Sequence, residues 1–478
     1  MAERDGLPAS MLVSLPSGHN VANVLRSGVL AAVQAQAPHL RTTIVSPFAD
    51  DDRFREEFSS PMLTHEPLAG YRPSTAERLI ESIVSEQFLS SSGLTAVRLQ
   101  RDRARLLEPW QGRGVAAAAK EIISRLPVPR RAWLGMAQAM ASDRGYSALF
   151  DRHRPSLLVT STAGFLDAEV PLLWEARRRG VPCMAIDLGW DNLSSKYHTI
   201  RPVDYLAVWN DSMKEEAVRY HGFPADRVLV TGAVQFDQYR HRQRLPARSA
   251  FFQAINADES CKLVTLATPA TASYASTSTV AERLAHAVRE GAFGAAVHLL
   301  VRVHPRDDME AYAALRQVPR VTVEKPMARL DIADGVTPTD AFSPTSPQRL
   351  HLAATLAYSD VVVNCASTTT LEAFMFDTPV INIGFDAQPG LPLPLSVRRY
   401  YHYEHYRPVV EAGAVRIADD PESLVRLVGD YLADPSRDRD ARRRVVEQMC
   451  SPGDGRAAER IARAVLTALG ASQRAAAA

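Results

Sequence analysis

The sequence predicts an α/β protein of two domains, each built on a parallel sheet, and three observations carry that prediction. Short β-branched runs such as Val361-Val362-Val363 alternate with stretches of helical period, the order that makes parallel βαβ units. One plan recurs over 158–182 and 361–379: apolar strand, small polar loop, helix carrying Glu-Ala, then Pro and a second apolar strand, with the longer connection in the first copy. At 478 residues the chain is also long enough for two or three separate cores.

The elements follow in order. Residues 11–15 form a first strand that stops at Pro16-Ser17-Gly18-His19-Asn20; 21–35 has helical spacing, and 42–46 is the next strand. Ligands collect beyond the carboxyl ends of parallel strands, so His19 is either a site residue or a loop histidine bonded locally. Residues 50–150 are predicted as helices projecting from the first domain. Their arginine-rich stretches, 98–105 and 125–131, with Trp110 and Trp133 nearby, fit solvated helix faces. They also fit peripheral contact of the N-terminal half with anionic lipid or a lipid-linked phosphate acceptor. A strand at 157–160, a helix at 170–179 and a strand at 181–186 lead into the polar loop 187–196. Strands at 205–209 and 227–232 enclose a helix that ends at Gly222. Residues 239–258 lack apolar period and read as a linker.

The second half repeats the pattern with strands at 262–267, 298–303, 321–323 and 361–363 and helices between them, then helices from 422 to a tail frayed beyond 470. The predicted domains are 1–240, with a helical insertion at about 50–150; 259–455; and a closing helix and tail at 456–478.

Composition narrows the function classes. Lys plus Arg number 55 against 54 acidic residues, so no basic field argues for nucleic acid. The four cysteines form no Cys-x-x-Cys pair, which argues against a zinc site or disulfide framework and suits a reducing cytoplasm. The first residues lack an apolar signal core, and no stretch approaches the roughly 18 to 20 apolar residues of a spanning helix. No Asp-x-Asp stands at a strand end, Asp50-Asp51-Asp52 reading as a polar turn, so no obligatory metal is expected; no cofactor is expected either.

Two motifs suggest chemistry. Ser367, Thr368, Thr369 and Thr370 lie between a buried strand and a helix that holds Glu372; they are either an ordinary cap or a phosphate cradle of hydroxyls and free amides. Arg302-Val303-His304-Pro305-Arg306 ends an earlier strand, and its proline keeps His304 out of a helix. Both loops open on one predicted sheet edge, where His304 and Arg302 or Arg306 could meet a diphosphate held by the hydroxyls.

Arg-Val-His-Pro followed by Ser-Thr-Thr-Thr-Leu-Glu-Ala resembles the His-Pro and Ser/Thr motifs of bacterial GT-B glycosyltransferases and the related CDP-glycerol glycerophosphotransferases. Thr231-Gly232-Ala233 with Asp237 resembles the stretch ending the first domain in these enzymes and in UDP-N-acetylglucosamine 2-epimerases. Residues 190–196 resemble a loop of surface-carbohydrate members. The likeness covers roughly 155–390. It implies a GT-B fold of two Rossmann-like domains facing across a cleft, with a nucleotide-sugar donor in the second and a carbohydrate or lipid-linked acceptor in the first. By that resemblance Arg302, His304, Pro305, Arg306, Ser367, Thr368, Thr369, Thr370 and Glu372 bind donor, and Gly232 and Asp237 lie between domains. His19, Asp187 or Asp191 would be the base of an inverting, metal-independent transfer in bacterial surface-polysaccharide or glycoconjugate biosynthesis. Glycerol-phosphate transfer and 2-epimerisation remain alternatives.

Overall fold

A computed structural model describes residues 9–108, 122–140, 145–196, 201, 203–270, 274, 277–326, 330 and 341–477. Two parallel sheets carry the fold. The first comprises β1 (Ser10–Ser14), β2 (Arg41–Ser46), β3 (Leu63–Pro67), β4 (Leu157–Thr160), β5 (Cys183–Ile186), β6 (Tyr205–Val208) and β7 (Val228–Val230), in the order 3-2-1-4-5-6-7. In the second, β8 (Lys262–Ala267), β9 (Val297–Arg302), β10 (Val321–Glu324), β11 (Val361–Asn364), β12 (Val380–Ile383) and β13 (Arg416–Ala418) run 10-9-8-11-12-13. The same logic built both. Central strands β1, β4, β8 and β11 are apolar and buried because helices cover both faces.

The order of strands reverses between β1 and β4, and again between β8 and β11. Each reversal leaves a crevice beyond the carboxyl ends of the strands. His19 follows β1 and Ser367 follows β11, so each stands at its sheet's switch point. This is the GT-B arrangement of two Rossmann-like domains.

Several elements differ from the sequence-based expectation. The helix expected over 21–35 is two, Gly18–Val24 and Val29–Gln36, broken where Gly28 takes φ +86°. Strand β3 lacks an apolar period of two because it is a half-exposed edge containing His65 and Glu66. The segment read as linker holds the helix Arg248–Ala254, whose Phe251 and Phe252 pack on Leu263, Leu300 and Ala354. Asp51 is a helix N-cap, accepting from Phe54 N at 2.9 Å. Trp110 lies outside the described residues.

The last helix runs continuously from Ala457 to Ala477 and returns to the first sheet, burying Ile461, Val465 and Leu469 with Val13, Val29 and Val33. Gly232 and Asp237 lie at that crossover. A Cβ on Gly232, which has φ +89°, would sit 2.9 Å from Pro452 O, and Asp237 caps the returning helix by accepting from Ala457 N and Ala458 N at 3.0 and 2.9 Å. A second crossing brings Leu330 and Ala341 into the first domain's core, where a Cβ on Gly18 would lie 2.6 Å from Phe342 O. Among the described residues, no helix is long and apolar enough to cross a membrane.

Candidate functional site

On the second domain the two motif loops flank β8, since β9 and β11 are its neighbours. Two inter-strand spacings separate them by about 10 Å, the scale of a nucleoside diphosphate's ribose and phosphates. His304 is half-buried, and its backbone N donates to Thr268 Oγ1 at 2.8 Å. Its Nδ1 accepts from Arg306 N at 3.1 Å, which leaves Nε2–H as the neutral ring's donor. Burial lowers the His304 pKa, opposed by Asp307 and assisted by Arg306 and Lys325, so the ring is neutral at pH 7. Half-buried Pro305 shapes the turn, and Arg306 is exposed beside it. Arg302 is committed elsewhere: its guanidinium pairs with Glu324, which also bonds His351 Nε2 at 2.8 Å.

The hydroxyl loop divides. Ser367 occupies the N-cap position of the helix Thr368–Phe374 without capping it; its Oγ instead accepts from Asn364 Nδ2 at 3.2 Å. Thr368 Oγ1 accepts from Trp190 Nε1 of the facing domain at 3.2 Å. Thr369 is half-buried and hydrogen-bonds Glu372, whose Oε1 also accepts from Tyr239 OH at 2.7 Å. Burial raises the Glu372 pKa; those bonds and the charges of Arg302 and Arg349 oppose it. Thr370 does not belong to the cleft. It is fully buried and bonded to Tyr406 OH at 2.8 Å, within a network that links Asn364, Asn382 and Tyr406. One further step of about 100° around the helix turns this hydroxyl inward.

On the first domain, β1 and β5 likewise flank one strand, β4, and carry the facing groups. His19 is exposed on the cleft wall, with Asn23 Nδ2 3.0 Å from its Nε2. Surrounding protein still desolvates the ring, and with Lys196 and Arg349 lowers its pKa to about 4 against the opposing pull of Asp191. It is neutral at pH 7 and able to accept a proton. Asp191 is partly exposed and bound to Lys196 Nζ at 2.7 Å. Desolvation pushes its pKa up, but Lys196 and His405 together carry it below the ordinary value.

Asp187 is held more deeply than the other two candidate bases. It is 2 % exposed, and its Oδ1 accepts from Asn192 Nδ2 at 2.6 Å and Gly189 N at 3.1 Å, the work of a loop anchor. Among the described residues its Oδ2 has no partner, and burial first of all lifts its pKa to about 7.

Four groups outside the sequence motifs join this site. Arg349 is buried between domains and donates to Ala22 O at 2.8 Å. Its charge is felt at both His19 and Glu372. His405 packs edge-on against Trp190, ring centroids 5.2 Å apart, with its pKa drawn down to about 4 by burial. Glu404 accepts from Thr95 N and Ala96 N at 2.5 and 3.1 Å, capping the insertion helix Thr95–Leu107 from the opposite domain. Tyr239, which holds Glu372, completes the set. The available sequence signal was the polar run Tyr403-Glu404-His405-Tyr406 ahead of a short helix, with nothing local to say that it faces the other domain.

The sequence matches no protein-family model and no curated protein. The fold does have relatives among solved structures. UDP-GlcNAc 2-epimerase from Neisseria meningitidis, bound to UDP-GlcNAc, superposes with TM-score 0.53 at 11% identity, covering 96% of this chain and 100% of that one. The S. aureus MnaA–UDP structure gives TM-score 0.53 at 12% identity and 97% coverage of both chains. The wall teichoic acid polymerase TagF, soaked with CDPG, gives TM-score 0.51 at 10% identity, covering 99% of this chain and 91% of that chain. These likenesses, nearly end to end, establish the GT-B fold that the sequence predicts.

Proposed function

We propose that the chain is a transferase that moves a sugar from a nucleotide-activated donor to a hydroxyl acceptor. The observation that carries this reading is that His304, Ser367, Thr368 and Thr369 on the carboxyl edge of one sheet face His19 and Asp191 on the carboxyl edge of the other, with Arg349 between. Neighbours solved with UDP-GlcNAc, UDP and CDPG support a nucleoside diphosphate here. In this scheme His304 Nε2–H and the three hydroxyls hold the donor, and Arg349 faces the diphosphate. His19 takes the proton of the acceptor hydroxyl as its oxygen bonds the anomeric carbon. The bond from that carbon to the diphosphate oxygen breaks, and its electron pair leaves with the nucleotide. An arriving diphosphate offsets the Lys196 and Arg349 charges that depress His19, so donor binding strengthens the base. Charge on the leaving group is carried by side chains in this proposal, without metal, and product forms with inverted configuration.

Thermal shift with CMP, CDP, UDP, GDP and dTDP tests the donor assignment: one base should raise the midpoint most. His304→Ala and Thr368→Ala should weaken that shift, and His19→Ala should spare it while turnover with an acceptor falls by about 10²–10⁴. Absence of any shift in the wild-type protein refutes the reading. The 2-epimerase-like neighbours favour a second one, isomerisation, in which UDP-GlcNAc alone yields a new sugar without acceptor. Release of CMP from a CDP-glycerol donor would instead identify glycerol-phosphate transfer.

A further inference from the structure

A second cavity, of about 640 Å³, lies on the opposite edge of the first sheet, walled by the strand starts at Cys183 and Asp204 and by the insertion. The four-residue strand β5 puts about 13 Å between this edge and the Asp187 loop. Among the described lining residues, Arg130, Arg131, Arg177, Arg201 and Arg227 face one carboxylate, Asp204, which is already bonded to Cys183 N at 2.8 Å.

Ordinary helix electrostatics accounts for some of this charge. Arg177 lies in the last turn of Val170–Arg178, where a cation suits the dipole; Arg130 Nη2 donates to Tyr220 O at 2.8 Å, and Arg227 is 3.8 Å from Asp226. Two features remain. Arg130 and Arg131 begin the helix Arg130–Met140, the end at which the dipole disfavours cations. Arg201 is 1 % exposed and pairs with Glu81 through Nη2, yet among the described residues its Nε and Nη1 have no hydrogen-bond partner. Those two nitrogens are closed off from solvent, so Arg201 adds its charge to the cavity wall, while contacts to an anion in the cavity would come from Arg130, Arg131, Arg177 and Arg227.

We infer that this cavity is a binding site, separate from the cleft, for a phosphate-bearing ligand: a phosphate ester or diphosphate on the arginines, with its organic part against Leu134, Val203 and Phe223. The volume falls within the range of small-molecule sites. The ligand is either a soluble phosphate compound or the headgroup of an anionic lipid. Leu79 and Met136, on the two helices that wall the cavity, are 57% and 49% exposed and would lie against an acyl layer in the second case. The site stands independently of the reaction assigned to the cleft.

Hydrogen exchange of the full chain tests it with three probes: inorganic pyrophosphate, phosphatidylcholine vesicles containing phosphatidic acid, and phosphatidylcholine vesicles alone. Pyrophosphate or the anionic vesicles should slow exchange several-fold in peptides spanning 130–134 and 222–227, and the R131E/R177E double variant should abolish the effect. Both side chains are exposed, so an unchanged thermal midpoint for that variant is expected. Slowing by pyrophosphate identifies a soluble ligand; slowing by anionic vesicles alone identifies a headgroup. No slowing, slowing confined to 302–306 and 367–372, or slowing that persists in R131E/R177E overturns the proposal.

Discussion

Replacing Asp187 by Asn separates a loop anchor from a catalytic base. The carboxyl is buried, and its pKa rises from the ordinary 3.8 to about 7, chiefly by desolvation. Between those values the unfolded chain has released its proton while the folded chain retains it. Stability therefore falls as pH rises through this window, by about 1.4 kcal/mol per unit and about 4 kcal/mol in all, and levels off above pH 7. The substituted amide would keep an oxygen for Gly189 N and Asn192 Nδ2 but cannot ionise. Urea denaturation followed by tryptophan fluorescence is a suitable assay, because Trp209 Nε1 donates to Asp187 O at 3.1 Å. From pH 5 to pH 8 the Asp187→Asn variant should gain about 3 kcal/mol relative to wild type. Its turnover should stay within about tenfold of wild type, whereas loss of a general base costs about 10²–10⁴. A stability difference that does not change with pH refutes the raised pKa, and a turnover loss on the catalytic scale restores Asp187 as the base.

Two further outcomes test how the domains meet. Gly18→Ala places a methyl 2.6 and 2.8 Å from the backbone oxygens of Phe342 and Ala341, so the contact must open; a loss of about 1–3 kcal/mol and a larger radius of gyration in X-ray scattering are expected, and neither would change if this interface were loose. Glu404→Ala removes the cap of Thr95–Leu107 and should cost about 0.5–2 kcal/mol, with faster amide exchange at Thr95 and Ala96; unchanged exchange there would show that Glu404 does not hold the helix.

Local chemistry made much of the fold legible. The runs at β1, β4, β8 and β11 are buried, and a strand end followed by small polar residues marks a ligand edge, so the positions of His19, His304 and Ser367 at the carboxyl edges of the sheets were legible from pattern, while the roles proposed for them rest on the family resemblance. What stayed hidden depends on geometry or distance. Thr370 looks like its neighbours in sequence, and only its angle on the helix sends it into the core. Arg302 could not be told from a free cation without Glu324 on the adjacent strand β10. Arg349 meets Ala22, and Glu404 meets Thr95, across more than 300 residues, beyond the reach of any periodicity.

The returning helix also sets the order in which the molecule can be completed. Val13, Val29 and Val33 are synthesised more than 400 residues ahead of their partners Ile461, Val465 and Leu469. At about 5–20 residues per second the first sheet waits on the order of half a minute with that apolar face uncovered. Its final packing comes late even though the strands beneath it are made early. During synthesis this face is the nascent chain's exposed adhesive surface, one that a chaperone would hold until the closing helix arrives.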